Sequence, residues 1–159
     1  PDCFIVEKLC RERMNIPVFH DDQHGTALVV GAAATNALHC AGKRFEDVKV
    51  VSTGGGAAGI ACLNMLVKLG VKRENIWLCD IAGLVYEGRA EEMTPQKADF
   101  AQVSDLRSLN DVIDGADLFL GLSGPGVLKP EMVAKMAAKP IIFALANPTI
   151  LCFPFVSKW

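Results

Sequence analysis

Residues Val48–Gly59 read VKVVSTGGGAAG, and the fold turns on this stretch. A β-type apolar run, Val48 to Val51, feeds into Gly54-Gly55-Gly56-Ala57-Ala58-Gly59. A helix-type run, Ile60 to Leu69, follows. Strand, glycine turn and helix in that order are the context in which G-x-G-x-x-G predicts a dinucleotide fingerprint and not an ordinary tight turn. Gly54 permits the turn, Gly56 lets the backbone approach a pyrophosphate, and Gly59 lets the helix pack close to the strand. The free N–H groups and positive end of that helix favour a bound anion. Asp80 ends the next strand-like run, Ile76 to Cys79. It stands about 20 residues past the turn, where a carboxylate reaches a ribose hydroxyl.

Downstream, the pattern keeps alternating. Ile81 to Arg89 reads as a loop, Pro95 to Ala101 as a short helix capped by Thr94, and Ser108 to Ile113 as another. Asp117 to Gly121 is a core strand, LSGPGV (Leu122 to Val127) a turn, Pro130 to Ala137 a helix, and Ile141 to Leu145 a last strand ending at Ala146-Asn147-Pro148-Thr149. This alternation predicts a Rossmann-type, doubly wound α/β fold: a parallel sheet with helices on both faces. Ligands of such sheets sit outside the carboxyl ends of the strands. Gly54 to Gly59, Asp80, Ser123 and Asn147 all fall at such ends, so topology gathers them at one crevice.

Upstream, Phe4 to Met14 suits an amphipathic helix with Asp2 as its cap, and Ile16 to Phe19 a short edge or terminal strand limited by Pro17. His20-Asp21-Asp22-Gln23-His24-Gly25-Thr26 then packs two carboxylates and two imidazoles into seven residues. A small-residue helix follows from Thr26 to Cys40, closed by Gly42. One reading makes Asp21 or Asp22 a helix cap and the histidines satisfied turn or core residues. Equally, adjacent acids offer the oxygen ligands of a hard divalent cation. On an extended backbone the two carboxylates project differently, which argues against both holding one ion.

The 159 residues make one domain by length; 51% are hydrophobic and 21% charged, as in soluble proteins. A formal net charge of −2 gives no footprint for nucleic acid or an anionic membrane. Thr26 to Ala41 is too short and too interrupted to span a bilayer. Six cysteines without CxxC spacing predict free, largely buried thiols and a cytoplasmic setting. Opening on Pro1-Asp2 without Met, the chain is expected to be a piece of something longer. It divides into a junction segment with the acidic motif (1–41), a dinucleotide-binding domain (42–149) and a divergent tail (150–159).

IPVFHDDQHGTA, the glycine turn, ENIWLCDIAGLVYEGR, GLSGPGVLKPEMV and IIFALANPT, in this order, resemble bacterial malic enzymes, over residues 1 to about 149. The resemblance implies a protein that oxidatively decarboxylates malate to pyruvate and carbon dioxide with NAD or NADP and Mg or Mn. It implies that Asp22 is a metal-binding carboxylate and that Asp21 helps orient a catalytic lysine. It further implies that Thr26 is a cofactor-site threonine, that Gly55 to Ala58 bind the pyrophosphate, and that Asn147 contacts malate beside the nicotinamide. Family members usually self-associate, so a homo-oligomeric parent is expected. The family's Glu-Asp metal pair and its catalytic tyrosine and lysine belong to segments that have no match here, and Ile150 to Phe155 looks like a family segment normally found further downstream. The expectation is therefore nucleotide binding without substantial turnover by this chain alone. On cofactor choice, Asp80 and the absence of a basic residue at Ala82 lean toward NAD, with Arg73 and Arg89 as cations able to offset that. The alternatives are another nicotinamide dehydrogenase, of amino-acid or shikimate type, or a non-catalytic binding or assembly module.

Overall fold

Helix α1 (Asp2–Arg13) opens the computed structural model, which describes residues 2–146. It is followed by α2 (Asp21–Ala41), β1 (Val50–Thr53), α3 (Ala57–Lys68), β2 (Ile76–Asp80), β3 (Gly83–Leu84), α4 (Pro95–Ala98), α5 (Leu109–Val112), β4 (Leu118–Gly121), α6 (Pro130–Val133) and β5 (Ile141–Ala144). The five strands form one sheet in the order β3-β2-β1-β4-β5. β2, β1, β4 and β5 run parallel, with Val50 opposite both Ile76 and Leu118. Strand order reverses beside β1, so the crevice at the carboxyl ends of β1 and β4 is the switch point at which such sheets bind ligands.

The period-2 geometry of the strands divides the apolar residues between two cores. Val50, Ile76, Leu78, Leu118 and Leu120 face a cluster completed by Ala27, Val30, Ala34, Leu38, Ile60, Leu63 and Leu66 of α2 and α3. Val51, Cys79 and Phe119 face the other, with Val112 of α5, Ile113 just after it, and Leu128 and Met136 around α6. Helices thus cover both faces, as the alternating pattern predicts. Small residues let α2 and α3 approach: a Cβ on Gly31 would stand 2.9 Å from Met65 Cγ. Gly42, at φ 70°, ends α2, and the Lys43 amide returns to the Leu38 carbonyl at 2.9 Å.

Several local expectations change. Asp2 is the first residue of α1 rather than its cap, and α6 ends at Val133 rather than Ala137. Ile16 to Phe19 forms no strand: among the described residues no ladder partner pairs with it, and Ile16 and Phe19 are exposed. Helix α2 begins at Asp21 rather than Thr26, with His20 as its N-cap. Asp21 and Asp22 therefore lie in a helical first turn rather than on an extended backbone, where negative charge suits the positive helix end. Finally, the loop after Asp80 contains the two-residue β3, antiparallel to β2, which adds an edge to an otherwise parallel sheet. No helix of the described residues is long and apolar enough to cross a membrane. The cysteines among them are free, but only Cys62 and Cys79 are buried, Cys40 being exposed. Burial pushes the Cys62 thiol up to about 11 and the Cys79 thiol to about 12.

Candidate functional site at the carboxyl rim of the sheet

The turn after β1 has the geometry its glycines suggest. Gly54 takes φ 106°, a conformation that L side chains rarely adopt. A Cβ there would stand 2.9 Å from the Leu122 carbonyl carbon and 3.1 Å from the Ser123 nitrogen. The β1 and β4 turns therefore touch, clamped by the Leu122 amide donating to Thr53 O at 2.8 Å, while the Gly54 amide ties the β1 turn to β2 by donating to Cys79 O at 2.9 Å. A Cβ on Gly59 would collide with the Gly54 carbonyl, so α3 packs directly on the turn that precedes it. Gly56 is different. It has ordinary extended dihedrals, is exposed, and a Cβ added there meets nothing within 4 Å.

That open space lies at the start of α3, whose N-cap Gly56 offers no side chain to the first amides. Ile60 N donates to Gly56 O, which leaves the amides of Ala57, Ala58 and Gly59 to an external acceptor. Thr53, the last residue of β1, carries a buried hydroxyl with no hydrogen-bond partner among the described residues. Free donors, a positive helix end and open volume suit a diphosphate.

Gly55 answers to a residue the sequence did not single out. A Cβ on it would stand 2.6 Å from Cε of Lys97, whose stem crosses the turn and whose ammonium reaches Asp80 Oδ2 at 2.7 Å and Glu92 O at 2.5 Å. Asp80 also accepts from Arg89, at 2.8 Å to Oδ1 and 2.6 Å to Oδ2, and from the Ala82 amide at 3.0 Å. Burial opposes ionisation of Asp80. Its hydrogen bonds from Arg89, Lys97 and Ala82, with the charge of Lys97, outweigh that and hold the carboxyl down to about 2. Two cations and one anion, all nearly buried, thus stand together beside the glycine turn.

Asp21, Asp22 and Thr26 sit at the N-terminal end of α2, which runs beside the matching end of α3. A cavity of about 420 Å³ separates the two helix starts, lined by Phe4, Gln23, His24, Ile60, Ala61 and Gln96 among others. Asp22 is exposed and lies 3.7 Å from His20 Nε2. The remaining polar groups here serve α1: Glu7 accepts from His24 at 2.5 Å, from Gln23 at 3.0 Å and from Arg11 at 3.0 Å. Among the described residues no group of three or more His, Cys, Asp and Glu side chains is gathered to hold a metal ion. The rim brings together Gly54 to Gly59, Asp80 and Ser123. Asn147 lies outside the described residues.

A family described as the malic enzyme NAD-binding domain matches residues 23–153. The chain belongs to this family. Over 158 residues it is 60% identical to an NAD-dependent malic enzyme of Rhizobium meliloti, covering 99% of this chain and 20% of that protein. It is 54% identical to an NADP-dependent malic enzyme of Escherichia coli, covering 99% of this chain and 21% of that one. The chain thus spans about a fifth of the length of these relatives. Among solved structures, the NAD-dependent malic enzyme of Thermotoga maritima superposes with a TM-score of 0.87 at 43% identity, covering 97% of this chain and 42% of that one. Membership in the malic enzyme NAD-binding domain family sets aside the amino-acid and shikimate-type readings. It leaves cofactor preference open, since relatives of both kinds match the same stretch.

Proposed function

We propose that this malic enzyme domain grips NAD or NADP at the carboxyl rim of its sheet, within a longer protein that oxidatively decarboxylates malate to pyruvate and carbon dioxide. The supporting observation is the open volume at Gly56, faced by the uncapped amides of α3 and flanked by the Leu122–Ser123 turn. The amides of Ala57, Ala58 and Gly59 hold the diphosphate. Gly54, Gly55 and Gly56 let it approach, and Asp80 lies beside the adenosine ribose. Thr26, Ser123 and Asn147 complete the cofactor contacts, with Asn147 toward the substrate. When bound, the nicotinamide accepts hydride from the hydroxyl-bearing carbon of malate.

Asp21 is assigned to positioning a catalytic lysine of the longer protein, and Asp22 to one carboxylate of a Mg or Mn site. The described residues alone do not fit that ion, since Asp22 and His20 stand without a third ligand. No step is derived through it. The parent is read as a cytoplasmic homo-oligomer: the free thiols suit a reducing compartment. The exposed Ile5, Val6, Phe19, Leu28 and Val29 of α1, α2 and their connection suit coverage by further protein. On its own, the chain is expected to bind dinucleotide and not to turn malate over. Calorimetric titration with NAD and NADP, beside an assay for malate-dependent NAD(P)H formation, tests this. Binding without turnover is the expected result, and failure to bind either nucleotide overturns the reading.

A further inference from the structure

We propose that Gly25 is a positioning residue for the malate reaction: the space of its missing side chain is the seat of the Asp21 carboxylate. The inference rests on the assignment of Asp21 above and deepens it. In a helix every Cα–Cβ bond tilts toward the N-terminus, so a side chain overlies the residue four before it. Asp21 opens α2, and Gly25 stands four residues on. A Cβ on Gly25 would collide with Asp21 Oδ1 and lie 2.9 Å from Asp21 Cγ and 3.6 Å from Oδ2. These are the three atoms nearest to it. The carboxylate thus fills the volume that any other residue at this position would claim.

Local stability does not explain the glycine. Position 25 lies inside α2, past its first turn, where glycine is the poorest helix former after proline. Gly31, the other glycine of this helix, has a packing reason: a Cβ there would stand 2.9 Å from Met65 Cγ of α3 and 3.4 Å from Leu69 Cδ1 just after it. At Gly25 the obstacle is instead the tip of an exposed side chain, which can swing away without disturbing the core. What the glycine secures is therefore the direction of the carboxylate, not the fold. That direction keeps two neighbouring acids apart. Asp22 turns toward His20 Nε2, 3.7 Å away, while Asp21 lies back along α2. Asp21 forms no ion pair among the described residues, so its charge, favoured at the positive end of the helix, is left for a cation of the longer protein. An ammonium is a compact point charge, and how well a carboxylate holds it depends on where that carboxylate stands. Alanine at 25 would crowd Cγ as well as Oδ1, so turning the carboxylate about its own bond gives no relief. Asp21 must take another staggered well, which moves its carboxylate carbon by about 2 Å. A misplacement of about 1 Å in a reacting assembly can cost about a hundredfold in rate.

Malate-dependent NAD(P)H formation by the longer protein tests the proposal on the wild type, Gly25→Ala, Asp21→Ala and the double variant, beside thermal melting and nucleotide calorimetry. Gly25→Ala is expected to lower kcat about tenfold to a hundredfold with little change in KM for malate. Its nucleotide affinity should hold, and its thermal midpoint should hold or rise by about 2–4 °C. Added to Asp21→Ala, the same change should move kcat less than about twofold, because no carboxylate is left to displace. Wild-type kcat in a folded Gly25→Ala overturns the proposal, as does wild-type kcat in Asp21→Ala. A further large fall in the double variant, a loss of nucleotide affinity, or a midpoint lowered by more than about 5 °C also overturns it, since each gives Gly25 a role apart from Asp21. All of these outcomes leave the malate reading intact, whereas a wild-type longer protein that oxidises no malate with either nucleotide removes both. Where residual rates are too low to compare, the crystal structure of Gly25→Ala decides: a displaced Asp21 carboxylate supports the assignment, and an unmoved one refutes it.

Discussion

Replacing Gly56 with alanine separates folding from binding more cleanly than any other change at the rim. Gly56 has φ −79° and ψ −173°, which alanine adopts freely, and the added Cβ meets nothing within 4 Å. Removing a glycine from the unfolded chain contributes about 0.4–1 kcal/mol to stability. Alanine is poorer than glycine at an N-cap by about a few tenths of a kcal/mol or more. The two effects nearly cancel, so the thermal midpoint should move by no more than about 2 °C. Binding should respond quite differently. The methyl group occupies the open volume in front of the Ala57, Ala58 and Gly59 amides, where the diphosphate is placed. A hydrogen bond to a charged acceptor contributes about 1.5–3 kcal/mol, so losing one weakens binding about tenfold to a hundredfold. Thermal melting and calorimetric titration of Gly56→Ala with NAD and NADP give both quantities. Wild-type affinity in a folded Gly56→Ala refutes the placement of the anion at this turn.

Gly59→Ala should behave in the opposite way: its Cβ collides with the Gly54 carbonyl, and forcing α3 off the turn costs about 1–3 kcal/mol, read as a lower urea midpoint. An unchanged midpoint contradicts that close packing. Asp80→Asn strands Arg89 and Lys97 without their buried anion and should destabilise by about 3–5 kcal/mol; a loss below about 1 kcal/mol in urea unfolding argues against the cluster. Acid acts on the same group. The Asp80 carboxyl is held down from 3.8 to about 2, so its contribution is fully present above pH 4–5 and is lost as pH falls through 2. That contribution is about 2 kcal/mol, and a pH series in which wild type and Asp80→Asn lose stability in parallel excludes it. Glu7→Ala removes the carboxylate joining α1 to Gln23 and His24, and α1 buries no residue of its own. Limited proteolysis should therefore cut within residues 2–13 sooner, with nucleotide affinity unchanged; equal resistance means α1 is held by other contacts.

The sheet was legible because each core strand is a short apolar run followed by a glycine or polar turn, and because α3, the long helix between β1 and β2, keeps its helical period. Gly54 and Gly59 were legible for a related reason: a positive φ and a close backbone approach are demands only glycine meets. The edge strand β3 was not, since two residues carry no period. The start of α2 was misplaced by five residues because His20 to Gly25 looks like a polar loop, although acids in a first turn are themselves a start signal. Ile16 to Phe19 has strand composition, but a strand needs a neighbour and composition does not supply one. Lys97 was out of reach. Nothing around TPQKAD marks it, and its role arises only when α4 carries its stem across Gly55 to the far side of Asp80. Arg89 was visible as a nearby cation, but not as a partner using two of the four acceptor positions on that carboxylate.

Titration of the 15N-labelled chain with NAD and with NADP, followed amide by amide, tests most directly whether the carboxyl rim holds a dinucleotide. Saturable shifts should concentrate on Gly54 to Gly59 and on Leu122 and Ser123, and leave α1 and the α5–α6 face still. Shifts confined to the cavity between α2 and α3, or no saturable shift with either nucleotide, would contradict it.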